Sequence, residues 1–392
     1  MNRIILIGNG FDLAHGLDTR YTDFIDDLWG KIGIEFINKV GIEQNKYFEN
    51  EYVIASKTDD FYFGGTKINT YEDFALVCAN HKFIYQFKNK FLEQISKESD
   101  SKSWVDIEEK YYQWLIQTSN IEKLNADFDE IKKLLVDYLV RQLDKNKKNI
   151  VYKEKIIQHI KSPILVKELS GKSTDSLLYS YYQDKLNPGM VDKLNLKKRF
   201  PDWSGIIAKM INTPEQIVFL NFNYTDTEKT YTDRCDTIKS QCIHIHGELN
   251  NEQNPIIFGY GDELDDDYKV IEKKNKKEYL DHIKSIEYLR TDNYKRLLSF
   301  VDSDYYQVFI MGHSCGLSDR TLLNTLFEHD KCVSIKPFFY EYYEKEKNEA
   351  GVEVEIKKDN YIELVQNISR NFNDKVKMRD RVVNKTYCTT LT

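Results

Sequence analysis

An α/β fold, with a largely parallel Rossmann-like sheet and a large helical insertion, follows from three observations. The chain opens with Ile4-Ile5-Leu6-Ile7, a short continuous apolar run ended by Gly8-Asn9-Gly10. That is the pattern of a strand buried on both faces. After about residue 214, strand-like runs alternate with helical periodicity. Between these regions, from about 46 to 210, apolar residues recur at three and four spacing, with no proline before Pro163.

The elements follow in order. From Thr22, residues Phe24, Leu28 and Phe36 can share a helix face, with Ile25 and Trp29 beside them. Within 46–210 the spacing predicts helices near 71–97, 103–117, 121–146 and 150–161. Asp100-Ser101-Lys102-Ser103 reads as a helix N-terminal boundary before Trp104. Strands are predicted over 216–220, 242–246, 256–258, 307–311 and 331–340. Helices are predicted over about 277–302, from Ser318 or Asp319 to His329, and over 359–373 as the last. Alternating strands and helices imply a parallel sheet covered on both faces. The expected division is a Rossmann-like domain from 1–45 and 211–392, and a helical insertion domain over 46–210.

Composition removes several classes. Lys plus Arg is 56 against 63 for Asp plus Glu, a net charge of −7. The basic footprint of a dedicated, sequence-specific nucleic-acid binder is missing. Aromatics at 13% and hydrophobic residues at 41% supply a core and exclude wholesale disorder. No run approaches the ~20 apolar residues of a membrane span. The apolar run before Gly8 is too short for a signal peptide, so a cytoplasmic protein is expected. Its six cysteines form no Cys-x-x-Cys pair, so they read as free thiols and no metal is expected.

Ligands of open parallel sheets sit at the carboxyl ends of the strands. Five glycine or polar clusters follow predicted strands: Gly8-Asn9-Gly10-Phe11-Asp12, Asn221-Phe222-Asn223-Tyr224-Thr225, His244-Ile245-His246-Gly247-Glu248, Gly259-Tyr260-Gly261-Asp262 and Gly312-His313-Ser314. Together they predict one cleft lined by Gly8, Asn223, His246 and Ser314. Each has a plainer reading. Gly8-x-Gly10 is either a tight turn or a place where backbone N–H groups meet a phosphate. Asn223 could cap a helix starting near 226. His244 and His246, two apart on a strand, would face the same side, and a His-x-His metal pair there lacks an obvious third ligand. Trp104, Tyr111, Tyr112 and Trp114 read as helical core.

Gly8-Asn9-Gly10-Phe11-Asp12-Leu13-Ala14-His15-Gly16-Leu17, with Tyr21-x-Asp23-Phe24 after it, resembles the opening of the AbiH proteins of bacterial phage defence. Trp104-Val105-Asp106-Ile107-Glu108-x-x-Tyr111 and the later strand-end clusters fit the same family in order, over residues 1 to about 330. The family is in turn distantly similar to sirtuin-like NAD-binding proteins. Gly8, Gly10 and Gly16 match the sirtuin glycines. Asn223 and Tyr224 match the asparagine and isoleucine of the threonine-glutamine-asparagine-isoleucine-aspartate motif. His246-Gly247 and Gly312-x-Ser314 match as well. Asp12 stands where a sirtuin has serine, Thr225 where aspartate is expected, and Arg20 one place from the expected arginine. The four-cysteine zinc module usual in sirtuin deacetylases is missing.

The resemblance implies an abortive-infection effector that hydrolyses NAD as substrate. Asn223 and His246 would be catalytic. Gly8, Asn9, Gly10, Asp12, Arg20, Tyr224, Gly259, Gly312, Ser314 and Asp319 would bind the nucleotide. A homo-oligomer is expected, with a defence-system or phage protein as a further partner. Cleaving a nicotinamide–ribose bond requires a positioned ribose, one placed water and a base. Asn223 can donate and accept at once, and a histidine such as His246 titrates near neutrality. Two alternatives stand beside this. One is a non-catalytic nucleotide switch that docks a partner. The other is a serine hydrolase using Gly312-His313-Ser314-Cys315-Gly316, a G-x-S-x-G between strand and helix, for which the only later histidine is His329.

Overall fold

The computed structural model describes residues 1–59, 67–98, 103–146, 150–177, 213–235, 238–347 and 353–392. Asp100-Ser101-Lys102 and residues 178–210 of the expected insertion lie outside these. The strands are β1 (Asn2–Ile7), β2 (Tyr47–Glu49), β3 (Val53–Ser56), β4 (Ile84–Phe87), β5 (Gln216–Asn221), β6 (Lys239–His244), β7 (Tyr306–Met311), β8 (Cys332–Phe338), β9 (Glu341–Lys347) and β10 (Glu353–Asp359).

Five of them form the main sheet in the order β6-β5-β1-β7-β8, with every neighbouring pair parallel. The fold is therefore α/β, as the sequence predicts. β1 is central and all six of its residues are buried, which is why its apolar run does not alternate with polar residues. The chain builds outward through β5 and β6, then returns to the other side of β1 with β7 and β8. Strand order thus reverses beside β1, the position where such sheets open a crevice.

Successive residues serve opposite faces. Ile4, Leu6, Val218 and Ile310 pack under helices Asn293–Ser303, Arg320–Glu328 and Tyr361–Arg370. Ile5, Ile7, Phe219 and Phe309 pack with Ile156 and Ile160 of helix Glu154–Ile160. A third core joins helix Tyr21–Phe36, the antiparallel sheet β2-β3-β4 and the helices Trp104–Gln117 and Ile121–Asn146. Ile256, Phe258 and Tyr260 enter that core, and Phe258 stacks on Phe128 with centroids 4.9 Å apart.

Several elements depart from expectation. The helix predicted over 71–97 is two helices, Tyr71–Asn80 and Lys90–Lys97, with β4 between them. Lys82 at φ 60 breaks the first, and the Asn89 side chain caps the second by accepting from Leu92 N at 2.7 Å. Residues 256–258 form no strand. The helix predicted over 277–302 is broken into short turns before helix Asn293–Ser303. Its interruption has a cause. Tyr260 N donates to His282 O and Lys284 N to Tyr260 O, a bridge that a continuous helix could not make. The exposed hairpin β9–β10 was not expected, and helix Lys375–Arg381 follows Tyr361–Arg370.

Gly312 is held at φ +79, and a Cβ there would lie 2.1 Å from the Phe11 backbone nitrogen. Gly16 has a similar φ of +80 with nothing within 4 Å of a Cβ. Gly16→Ala should therefore cost only the backbone term, about 1–2 kcal/mol. Gly312→Ala adds a collision between backbones and should lower stability clearly more. Denaturant midpoints of the two variants measured side by side check this; equal losses would refute the collision.

Candidate functional site

A cavity of about 630 Å³ opens at the carboxyl ends of the strands. Gly8, Asn9, Gly10, Asp12, Arg20, Asn223, Tyr224, His246, Gly312, Ser314 and Asp319 all line it. Gly259 does not. Its N–H points to Glu108 Oε1 at 3.4 Å, and a Cβ there would sit 2.0 Å from His282 O. The cavity wall also includes Trp104, Val105, Glu108, Leu135 and Leu139 from the two long helices of the insertion.

The glycines weld the loops after β1 and β7. Gly10 N–H donates to Gly312 O at 2.8 Å and Gly8 N–H to Met311 O at 3.4 Å. A Cβ on Gly8 would lie 2.5 Å from His313 Cα. Both amides are thus taken by protein oxygens, and close backbone approach is what requires glycine here. The loop after β5 joins them: Asn223 Nδ2 donates to Gly8 O at 3.0 Å. Helix Lys229–Thr232 begins too late for Asn223 to cap it. Thr225 Oγ1 donates to Asp12 Oδ2 at 2.6 Å. Burial, working against that hydrogen bond, pushes the Asp12 carboxyl up to about 6. Asn9 Oδ1 accepts from Thr19 at 2.5 Å. Arg20 is exposed.

β6 ends at His244, so the two histidines do not share a side. His244 turns to Glu228, while His246 enters the cavity. His246 Nε2 lies 3.1 Å from Asp319 Oδ1 and 3.1 Å from the Tyr288 hydroxyl. Burial, reinforced by the nearby Lys284 ammonium, pushes its pKa down to about 4. It is a neutral imidazole at pH 7, not the near-neutral titrating group expected from its type.

Beside Asp319, the floor of the cavity carries two charged groups that sequence reading did not assign, Glu108 and Lys284. Lys284, 1% exposed, places Nζ 2.8 Å from Glu108 Oε2 and 2.9 Å from Asp319 Oδ1. His313 Nε2 lies 3.5 Å from Asp319 Oδ2. Burial raises Glu108 despite Lys284. For Asp319 burial acts upward too, but Lys284 and His246 outweigh it and hold the carboxyl well below the usual range. Glu108 was legible in part, because it stands four residues after Trp104 and so shares its helix face. Lys284 carried no signal in the sequence.

Outside the cavity, donor atoms of Glu228, Cys242 and His244 lie within 4.8 Å of one another. This corrects the expectation of no metal. His246 takes no part: the pair is Cys242 and His244, two residues apart on the same strand face, and Glu228 joins them from the turn before helix Lys229–Thr232.

The G-x-S-x-G geometry does not build a hydrolase triad. Ser314 follows the end of β7. His329 packs on Tyr306, the first residue of β7, and pairs with Asp302 at 3.2 Å. Six strand residues separate them by about 17 Å or more. The non-glycine residue of the motif at positive φ is Cys315 (φ 56) and not Ser314, and Cys315 is buried.

The protein is of the α/β class, and its crevice at the reversal of a parallel sheet, floored by buried charges, is the candidate site. The family model for the bacteriophage abortive infection protein AbiH matches residues 4–342, and the chain belongs to that family, whose members act in phage defence. No curated protein and no solved structure matches it. No helix among the described residues is long and apolar enough to cross a membrane.

Lys284→Met would leave Glu108 and Asp319 facing each other in a buried site. A loss of about 3–5 kcal/mol is expected, with part of it recovered in Lys284→Met/Glu108→Gln; chemical denaturation reads both, and no recovery would show that the pair is not the cause. Asp12 gives a pH signature. Its folded pKa lies above the unfolded value, so the stability it contributes is present below pH ~4 and lost as pH rises through about 6. Asp12→Asn should accordingly gain on wild type by up to about 3 kcal/mol between pH 4 and pH 7. A difference that stays constant over that range would contradict the buried, raised carboxyl.

Proposed function

We propose that the protein is a cytoplasmic abortive-infection effector that binds NAD or a related nucleotide in the cavity and hydrolyses its nicotinamide–ribose bond. The observation that carries the reading is the placement of Asn223, His246 and Asp319 around one crevice at the reversal of strand order. Its volume falls within the usual ~300–1,000 Å³ of small-molecule sites. The resemblance of Gly8, Gly10, Gly16, Asn223 and His246-Gly247 to sirtuin-like NAD-binding proteins supports the choice of nucleotide.

In this reaction the C1′–N bond breaks and its electron pair leaves with nicotinamide. Water adds to the cationic ribose carbon and loses a proton. Asn223 commits its amide N–H to Gly8, so its carbonyl oxygen is the atom it offers a ribose hydroxyl or the water. His246 uses Nε2 toward Asp319 and Tyr288, which leaves Nδ1 as acceptor. Being neutral, it can take the proton, and ionised Asp319 stabilises the imidazolium formed. Asp319 also lends negative charge to the cationic transition state. Arg20 and Asn9 are the groups for phosphate oxygens, since the Gly8 and Gly10 amides are occupied. Trp104, Val105 and Glu108 place the insertion in the cavity wall, so contact with a second copy or a phage or defence protein on this layer is the natural point of control.

Pure protein incubated with NAD, with released nicotinamide measured, tests the reading. Asn223→Ala and Asp319→Asn should each slow release by about 10²–10⁴-fold, while Ser314→Ala should retain most of it. Tight nucleotide binding without consumption, also in infected cells, would make the protein a nucleotide switch. Loss of activity in Ser314→Ala alone would overturn the reaction class.

A further inference from the structure

The edge of the sheet away from the cavity floor holds a cluster that the reaction above does not use. Cys242 and His244 alternate on edge strand β6, so both point to one face. Glu228 reaches the same point from the turn before helix Lys229–Thr232. Its Oε1 lies 3.0 Å from His244 Nε2 and 3.5 Å from Cys242 Sγ. Those three donors lie within 4.8 Å of one another, and Glu248, at the rim of the group and not within it, has Oε1 3.7 Å from the same His244 nitrogen. We propose that Glu228, Cys242, His244 and Glu248 form a zinc site that clamps β6 to the loop after β5.

The donor set selects the metal. One thiolate, one imidazole and carboxylate oxygens suit zinc, a borderline-soft ion, and not the hard cations that want oxygen alone. Zinc holds sulfur at about 2.3 Å and nitrogen or oxygen at about 2.0–2.2 Å, so tetrahedral partners stand roughly 3.2–3.7 Å apart. The donor separations of 3.0, 3.5 and 3.7 Å already approach that spacing. Glu228 is fully buried, yet its other oxygen accepts from Asn221 Nδ2 at 2.7 Å, the kind of outer hydrogen bond that orients a metal-ligating carboxylate. Cys242 is half-buried and the Glu248 side chain 34% exposed, which leaves an entry path from solvent.

The same Asn221 joins this cluster to the cavity. Its Oδ1 accepts from Asn223 N at 2.8 Å and its Nδ2 also donates to Thr225 O at 3.0 Å. A metal fixing Glu228 would therefore stiffen the loop that presents Asn223. The site is structural, and the inference does not depend on NAD being the ligand.

The test uses the full chain, treated with chelator and titrated with Co²⁺. One equivalent should bind, giving a thiolate-to-cobalt charge-transfer band and tetrahedral visible bands that Zn²⁺ displaces. Cys242→Ser should lose the charge-transfer band, whereas Cys388→Ser should keep it. Glu248→Gln, a change at the exposed rim that leaves the fold intact, should weaken Co²⁺ binding by about tenfold or more. Zn²⁺ should raise the thermal midpoint of wild type and not of His244→Gln. Absence of stoichiometric binding by wild type overturns the proposal, as does a charge-transfer band that survives in Cys242→Ser. Should Cys242→Ser not fold, Glu248→Gln decides: binding as tight as wild type overturns it.

Discussion

A lysine ammonium with 1% exposure persists only where carboxylates surround it, and Lys284 draws its two from distant parts of the chain. Glu108 comes from the helical layer and Asp319 from the turn after β7. Neither carboxylate is tolerable there without the ammonium, nor the ammonium without them. The contact therefore fixes how the layer over the crevice sits on the sheet. The Tyr260–Lys284 backbone bridge exists in the service of this placement, since it halts a would-be helix where Lys284 must turn inward.

From that point the strand-end loops fall into register with one another. Gly8, Gly10 and Gly312 bring two loops into backbone contact. Asn221 and Asn223 tie the third. Polar side chains here hold loops more than they fill space, and the buried Asn221 and Asn223 amides both find partners. The consequence is order: Asn223, His246 and Asp319 have few alternative positions, which is what the proposed chemistry would need to act without reorganisation.

The parallel sheet was legible because β1, β5 and β7 are apolar on both faces, a pattern helices seldom imitate over four to six residues. The clusters that follow those strands were legible for a topological reason, since ligands collect at carboxyl ends. What failed did so for stated causes. The segment 277–302 has helical spacing, but a long-range bridge overrides it. The stretch 71–97 hides β4, whose four residues Ile84–Phe87 are too few to outweigh the surrounding periodicity. His244 and His246 seemed to share a face only because β6 was drawn two residues too long. The Glu228–Cys242–His244 cluster could not be read at all from spacing, because Glu228 is 14 residues before Cys242 and no common metal spacing links them.

Control of the proposed effector meets an energetic bound set by the same lysine. Opening the layer over the crevice separates Glu108 from Lys284, and breaking such a pair in a buried site costs about 3–5 kcal/mol. Moving a two-state equilibrium from 1:99 to 99:1 takes about 5.5 kcal/mol of differential binding. A single partner contact of ordinary size can supply that, so control of the proposed effector through this layer lies within reach of one binding event. Protonation near neutrality enters this cavity at Asp12, whose carboxyl burial pushes up to about 6, and not at the groups around Lys284. Asp319 is held well below the usual carboxylate range and His246 near pH 4, so neither group changes charge near neutrality. Any signal that acts on the proposed effector through Lys284 therefore has to work by binding to the layer, because the charges of its neighbours Asp319 and His246 do not change near neutrality.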